Sequence, residues 1–583
     1  MNKIRLSLGY SLLATVLAGT AAFAAPPGSQ PAAATPGHGV SSQTPVPKPG
    51  TGNFVERLIG ELRSNGLEIS VGYPKLWIEA DCTYNYLVYH NCFGNNPAAP
   101  YVLLVVKSWP EEYVDPAMEN GMVRTRPGYS ATYRLDPREA IVVFGRMPPP
   151  ARYMGLQTYI WTTGWVNADP PVPSPWNPDA YTEYSYLAGQ MTQYFFATFP
   201  PVDFAIDPSV YGDRVQSFSS IDNNINNVVM ENQSGAPWDK MRYFVITPDQ
   251  RTDEAVRTVL GSLGVDGGEI FTEGIPTTFQ GQHDSNDPYP YYGQNPDVGP
   301  LGLDDNAVDF LTGLRYSMPE DEHAANAWRK SLPLTVLRVR PSSGRDPDPF
   351  DEPLWADARP TVNEVDDLAL SSGLSSLIDA VIARAKSQGL YLDTTDPQKK
   401  NPEKMIDILN ELGQFGPQCR EIGMNCLGDG QDASYFMAPP NPLDTGRIYA
   451  VVGTLATETG NGTYVGLSVN DPSLLKGVLN VDDTQLKGSA GSYESTVTNW
   501  DKFFVHFFTR DCAAIAGLTD GACTTITKQM IPLAGDDKAP GDADLHGKFS
   551  AGLRAYVVPN HERGPDPTLQ LTPMLITFTR DSP

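Results

Sequence analysis

YFVITPDQRTDEAVRTVLGSLGVDGGEIF, residues 243–271, reads as a strand, a helix and a second strand in succession. The run 243–246 is apolar and rich in β-formers. Val256, Val259, Leu260 and Leu263 then fall on one helical face, with Thr252 placed to cap the helix and Gly264 to stop it. Apolar character resumes over 269–271, which predicts a βαβ unit. The turn from strand to helix is Thr247-Pro248-Asp249-Gln250-Arg251. A phosphate-cradling turn needs glycines there, so dinucleotide and P-loop chemistry are not expected.

Upstream of this unit, Asn53 and Glu56 stand in capping-box positions before a helix over 53–64, and Gly66 follows its end. Four β-rich runs, 101–106, 130–135, 140–144 and 153–161, are separated by Pro and Gly and predict an antiparallel sheet. Downstream, helices are predicted near 305–316 and over 319–330, then a strand at 334–339. Residues 342–362 read as an acidic, Pro-rich connector. Leu370, Leu374, Leu377, Ile378 and Val381 line one face of a helix that Gly389 follows. Asn401, Pro402, then Met405, Ile408, Leu409 and Leu412, closed by Gly413, predict another. The tail is β-rich: 447–455 and 463–469 flank the hairpin signal Asn461-Gly462, and 503–508, 554–558 and 574–579 follow. The expected fold class is multi-domain α+β, with antiparallel β-rich N- and C-terminal regions and a βαβ unit and helices between. The expected divisions are a β-rich domain at 53–236, an α/β region with a long polar loop at 237–341, a connector and helical pair at 342–415, and a β-rich domain at 416–583. No internal repeat is visible.

The N-terminus predicts export. Lys3 and Arg5 precede an apolar run over 6–20, and Ala22-Phe23-Ala24 supplies small residues for a signal peptidase. Residues 1–24 therefore read as a signal peptide cleaved after Ala24, and 25–52 as a disordered Pro/Ala/Gly-rich tether. The expected location is the periplasm or the medium, with no membrane span. A net charge of −26 over 583 residues argues against nucleic acid and anionic membranes, which demand basic patches. The six cysteines fall into three close pairs. In an oxidising compartment these are expected to bond locally: Cys82 with Cys92, Cys419 with Cys426, and Cys512 with Cys523.

No reaction is fixed by a motif. There is no Gly-x-Ser-x-Gly elbow, and Ser473-Leu474-Leu475-Lys476 lacks the companions of a Ser-x-x-Lys site. No two of the seven histidines stand at metal-ligand spacing. The most site-like region is 276–328, where His283 and Asp284 precede a tyrosine cluster and Glu320 and His323 open a helix. Histidine with carboxylate can do general acid–base work, so these four residues are the catalytic candidates of an extracellular or periplasmic hydrolase. Asp346, Asp348 and Asp351 are closely spaced oxygen donors that suit a structural calcium; no other cofactor is identified. The 27 tyrosines and nine tryptophans concentrate in 153–165 and 181–194. That pattern supports the alternative of an exported ligand-binding protein with exposed aromatics. A third reading is an envelope or surface interaction protein that uses the tether as a spacer.

Arg126-Pro127-Gly128-Tyr129, followed by Ala151-Arg152-Tyr153-Met154-Gly155, resembles a pattern in uncharacterised bacterial envelope proteins. There a tyrosine-bearing strand, an acidic turn and an Arg-Tyr strand succeed one another. The resemblance spans about thirty residues, carries over no catalytic residue, and implies an exported bacterial protein.

Overall fold

A computed structural model describes residues 51–580, apart from 79, 83, 86–91, 115–121, 165–213, 222–223, 277–299, 351–358, 396–399, 408–426, 537 and 540–544. The architecture below is that of residues 55–583 and of the helix leading into them. Helix α1 (Thr51–Ser64) buries Leu58 and Leu62. The main-path strands that follow are β1 (Leu67–Val71), β2 (Tyr73–Leu76), β3 (Tyr101–Lys107), β4 (Ala140–Arg146), β5 (Ala151–Gly164), β6 (Arg214–Ser220), β7 (Met241–Thr247), β8 (Ile270–Gly274), β9 (Asp309–Pro319) and β10 (Leu334–Pro341), with two-residue strands at 129–130, 132–133 and 225–226 pairing beside them. Helix α2 (Asn227–Ser234) precedes β7, α3 (Gln250–Ser262) joins β7 to β8, and α4 (Glu322–Ser331) joins β9 to β10. These strands form two sheets, in the orders β1-β10-β4-β7-β8 and β2-β3-β9-β5-β6. Every pairing along these paths is antiparallel except β7 with β8, the βαβ unit that the periodicity predicts.

The second half of the chain then does the same thing again. Helix α5 (Leu368–Ser387) leads into β11 (Tyr391–Leu392), β12 (Ile406–Asp407), β13 (Ala433–Met437), β14 (Ile448–Thr454), β15 (Tyr464–Asp471), β16 (Lys476–Asp482), β17 (Phe503–Thr509), β18 (Cys523–Thr525), β19 (Lys548–Tyr556) and β20 (Met574–Thr579). Their sheet orders are β11-β20-β14-β17-β18 and β12-β13-β19-β15-β16, which are the first two orders with ten added to every strand. The parallel pair is again the seventh with the eighth, β17 with β18.

The registers coincide residue by residue. Gly313, Arg315 and Ser317 of β9 face Gln157, Gly155 and Tyr153 of β5. Gly552, Arg554 and Tyr556 of β19 face Ser468, Gly466 and Tyr464 of β15. With the structure as guide the sequence shows the same repeat. Phe310-x-x-Gly313-Leu314-Arg315 matches Phe549-x-x-Gly552-Leu553-Arg554, and Tyr153-x-Gly155-Leu156 matches Tyr464-x-Gly466-Leu467. Cys92-Phe93-Gly94 through Tyr101 matches Cys426-Leu427-Gly428 through Tyr435, and Ser64-Asn65-Gly66-Leu67 matches Ser387-Gln388-Gly389-Leu390. The chain is thus an α+β protein built from two tandem halves, which corrects the expectation that it carries no internal repeat.

Each half buries its main core between its own two sheets. Val143, Phe244 and Val336 meet Val102, Leu156 and Phe310 in the first half. Val451, Phe508 and Leu575 meet Phe436, Leu467 and Phe549 in the second. Central strands such as β4 and β14 are apolar on both faces because the second face is also covered. In the second half the cover is α5, whose Leu370, Leu374, Leu377, Val381 and Ala385 pack on Ala450, Val505 and Ile576. By length and composition α5 could cross a membrane, but its apolar face is laid on this sheet.

Some expectations change. Residues 309–316, expected in a helix, lie in β9, because both faces of that run are buried between strands and layers. The segment after Asn401 pairs with β20 and β13 through 403–404 and 406–407 instead of coiling. The Asn401 side chain donates to Thr577 O (2.7 Å) and accepts from Thr577 N (3.1 Å), so it clamps the edge of a sheet and caps no helix. Asn461-Gly462 is not a hairpin turn, since β14 and β15 belong to different sheets. The side chain that caps α3 is Asp249, not Thr252.

Candidate functional site

The two halves meet through reciprocal contacts. Arg315 of the first donates through Nη2 to Gly428 O of the second, and Arg554 of the second donates to Gly94 O of the first (2.8 Å). Gly428 N donates to Phe218 O, and Gly94 N donates to Leu475 O. Asp429 Oδ1 accepts from Ser220 N (2.8 Å), and Asn95 Oδ1 accepts from Gly477 N (3.0 Å). These are matched positions in every case, the pattern of an isologous two-fold contact carried within one chain. Between them, Tyr153 donates to Asp432 Oδ2 (2.8 Å), and its ring centre lies 4.8 Å from that of Tyr556. Burial raises the Asp432 carboxyl above the usual carboxylate range.

A pocket opens where the second half's loop crosses the sheet β2-β3-β9-β5-β6. Alternate residues of a strand share a face, so Leu311, Gly313 and Arg315 of β9 and Tyr101 and Leu103 of β3 all line it. Tyr159 of β5, Phe218 of β6, Trp77 and Phe93 supply further aromatic wall, and Leu427-Gly428 forms one lip. The cavity volume is about 40 Å³. The rings brace one another edge to face: Phe93 to Phe218 at 5.3 Å, Tyr159 to Phe218 at 5.1 Å, and Trp77 to Tyr101 at 6.0 Å. The Cys82–Cys92 disulfide fixes the loop that carries Phe93.

At the pocket floor lies Arg315, whose residue exposure is 7%. Its guanidinium carbon sits 5.8 Å from the Tyr101 ring centre and 5.6 Å from that of Tyr159, and Nη2 also donates to the Tyr159 hydroxyl. Among the described residues no carboxylate comes within 4.0 Å of it. The matched residue Arg554 keeps the carbonyl bond but has no tyrosine bond; instead its Nη1 donates to Ser468 Oγ (3.0 Å), where the first half has Gln157. Gly313 leaves the centre of the floor bare, since a Cβ there would first meet Leu103 Cδ2 at 3.5 Å.

The described residues singled out by sequence as catalytic or metal-binding do not line this pocket. His283, Asp284, Asp351 and the pair Cys419 with Cys426 fall outside the described residues. Glu320 and His323 are exposed at the start of α4, where Asp321 accepts the His323 and Ala324 amides. Asp346 is exposed, and Asp348 Oδ2 pairs with Arg251 Nε at 3.1 Å. Among the described residues no group of three or more His, Cys, Asp or Glu could hold a metal ion. Cys82–Cys92 and Cys512–Cys523 are bonded as the spacing predicts, which suits an oxidising compartment. The ring-rich stretch 153–165 was a partial signal: Tyr159 does line the pocket, though Tyr153, Tyr159 and Trp161 are buried and not displayed on the surface. Arg315 was missed, and the twice-used Gly-Leu-Arg string is what could have found it.

One titratable group elsewhere is pushed to neutrality. Burial raises Glu139 to about 7 against the pull of Arg338, with which it is paired. Both are fully buried, and Arg338 is shared with Glu112 (2.6 Å), so this is an internal ion network with no opening for a substrate.

No protein-family model and no curated protein matches the chain. Among solved structures, an uncharacterised protein from Burkholderia cenocepacia matches with a TM-score of 0.32 and 11% identity, over 92% of each chain.

Proposed function

We propose that this is an exported, disulfide-stabilised binding protein for a small organic ligand, and that the ligand enters the pocket at Arg315. The observation that carries the reading is the pocket itself: aromatic walls around a buried guanidinium that has no ion-pair partner among the described residues. Export rests on the N-terminal sequence pattern and on the two disulfides. None of the residues lining the pocket is a histidine or a carboxylate, which supports binding over hydrolysis.

The test is a thermal-shift and tryptophan-fluorescence screen of the purified protein against aromatic acids, neutral aromatics and oligosaccharides. Trp77 lies in the pocket wall and reports occupancy. A ligand at a hundred times its dissociation constant should add about 2.7 kcal/mol of stability. Gly313→Leu fills the floor and should abolish the shift while leaving the melting transition cooperative. If a hit raised the melting temperature of Gly313→Leu as much as that of the wild type, the ligand would be bound elsewhere and the assignment would fall.

A further inference from the structure

Resting on that reading, we infer that Asp432 of the second half is the counter-ion of Arg315, and that the pocket therefore admits a small uncharged apolar group and rejects anions. A Cβ on Gly430 would stand 3.0 Å from Arg315 Nη1, 3.0 Å from Asp432 Oδ1 and 3.1 Å from the Tyr435 hydroxyl. The two charges thus flank one point, beyond the 4.0 Å of a direct pair but inside the roughly 6 Å over which opposite charges hold each other ionised. A single water spans such a separation. Asp432 Oδ2 accepts from Tyr153 (2.8 Å) and from Asn226 Nδ2 (3.5 Å). Its Oδ1 is sealed in the interior and accepts no hydrogen bond within the described protein, so the guanidinium is what answers its charge. Of the influences that oppose burial at this carboxyl, attraction to Arg315 is the largest.

The internal repeat supplies a control. Arg554 donates to Gly94 O as Arg315 donates to Gly428 O, and four residues beyond these glycines stand Ala98 and Asp432. Arg554, which faces the loop with the alanine, lies on a strand pair that carries Ser550 and Asn470 where the first half carries Leu311 and Tyr159. The carboxylate and the apolar wall therefore accompany the same arginine. Arg315 already uses Nη2 on Tyr159 and Gly428 O, so a ligand would meet a guanidinium whose charge and bonds are answered from within. The cavity of about 40 Å³ holds about three water-sized centres, so what enters is an end group of isopropyl size. Leu103, Met122, Leu311 and Leu427 in its lining offer a charge no partner.

The test compares isobutanol with isobutyrate, alike in size and different in charge, by calorimetry on the wild-type protein. Isobutanol should bind at least about tenfold more tightly, because the anion would shed its water beside a cation that already has its counter-charge. Asp432→Asn removes that counter-charge, and Gly430→Ala wedges a methyl between the two groups. Each should raise isobutyrate affinity about tenfold and leave isobutanol within a factor of about two, with melting curves reporting that the fold is intact. Folded variants that kept the wild-type preference would overturn the counter-ion assignment. Isobutyrate binding the wild type as tightly as isobutanol, with both lost in Gly313→Leu, would overturn the whole inference and leave the pocket standing. Failure of both probes, or binding indifferent to Gly313→Leu, would remove the pocket reading as well. Because the first comparison is made on the unaltered protein, it decides the selection against anions even if neither variant folds.

Discussion

His506 sits in the middle of β17 at the position that Phe244 holds in β7, with its ring 5.0 Å from that of Phe508. Nε2 meets Thr524 Oγ1 at 2.9 Å, and Nδ1 is buried without a hydrogen bond. Burial lowers its pKa to about 4. The folded state therefore takes up a proton less readily than the unfolded chain, whose histidine titrates near 6.5. The stability held by the neutral ring is fully present above about pH 6.5 and is lost as the pH falls towards 4, about 3 kcal/mol in all. His506→Phe, the residue used at the matched position, should flatten that fall. Urea midpoints at pH 7 and pH 4.5 measure it: the wild type should lose about 2–3 kcal/mol more between them than the variant, and equal losses would refute the assignment.

At the scale of elements, the approach of α5 to its sheet depends on Gly373. A Cβ there would lie 2.8 Å from the Phe503 ring and 3.0 Å from Thr498 O. Gly373→Leu should cost about 1–3 kcal/mol by overpacking, while Ser375→Ala on the exposed face of the same helix should change little, by guanidinium denaturation. Opening the Cys82–Cys92 loop with the double Ser variant should cost about 2–3 kcal/mol and loosen Phe93 in the pocket wall, seen as weaker ligand binding alongside a lower midpoint. Elements were legible where one physical signal dominated. The strands at 101–107, 140–146, 334–341 and 503–509 are long apolar runs, and the βαβ unit has clear helical spacing between two such runs. The segment 309–316 misled because Phe310, Leu311 and Leu314 also fall at helical spacing, and its burial on both faces removes the alternation that marks a strand. The segment after Asn401 misled because its start signals are real but local, and edge pairing with β20 outweighs them. The repeat was illegible for another reason. Its matched strings are three to six residues long and drift in spacing, from Gly66 and Gly389 to Arg315 and Arg554, so the common register emerges only once strands are paired.

At the scale of the whole molecule, the reciprocal loops make each half part of the other's structure. Gly94 and Gly428 follow Phe93 (φ 60°) and Leu427 (φ 52°), and each pair turns its loop into the opposite half through the same left-handed step. A Cβ on Gly428 would strike the Phe218 ring at 2.6 Å. Gly428→Ala should therefore weaken the seam and the pocket lip together, and Gly94→Ala, with open space around its Cβ, should act through backbone strain alone. Residues 55–580 should unfold in one transition. Tryptophan emission, dominated by the first half, and near-ultraviolet dichroism of the tyrosines in both halves should share a midpoint; two resolved midpoints would show that the seam contributes little. Repeated strand order, matched register and reciprocal loops give the seam the form of a symmetric contact between two like units, carried within one chain. The two copies have diverged at their arginines: one guanidinium is tied to a serine, its twin to a tyrosine. The covalent bridge at 342–362 should then be expendable, and two polypeptides divided there and co-expressed should reassemble into a single binding-competent heterodimer.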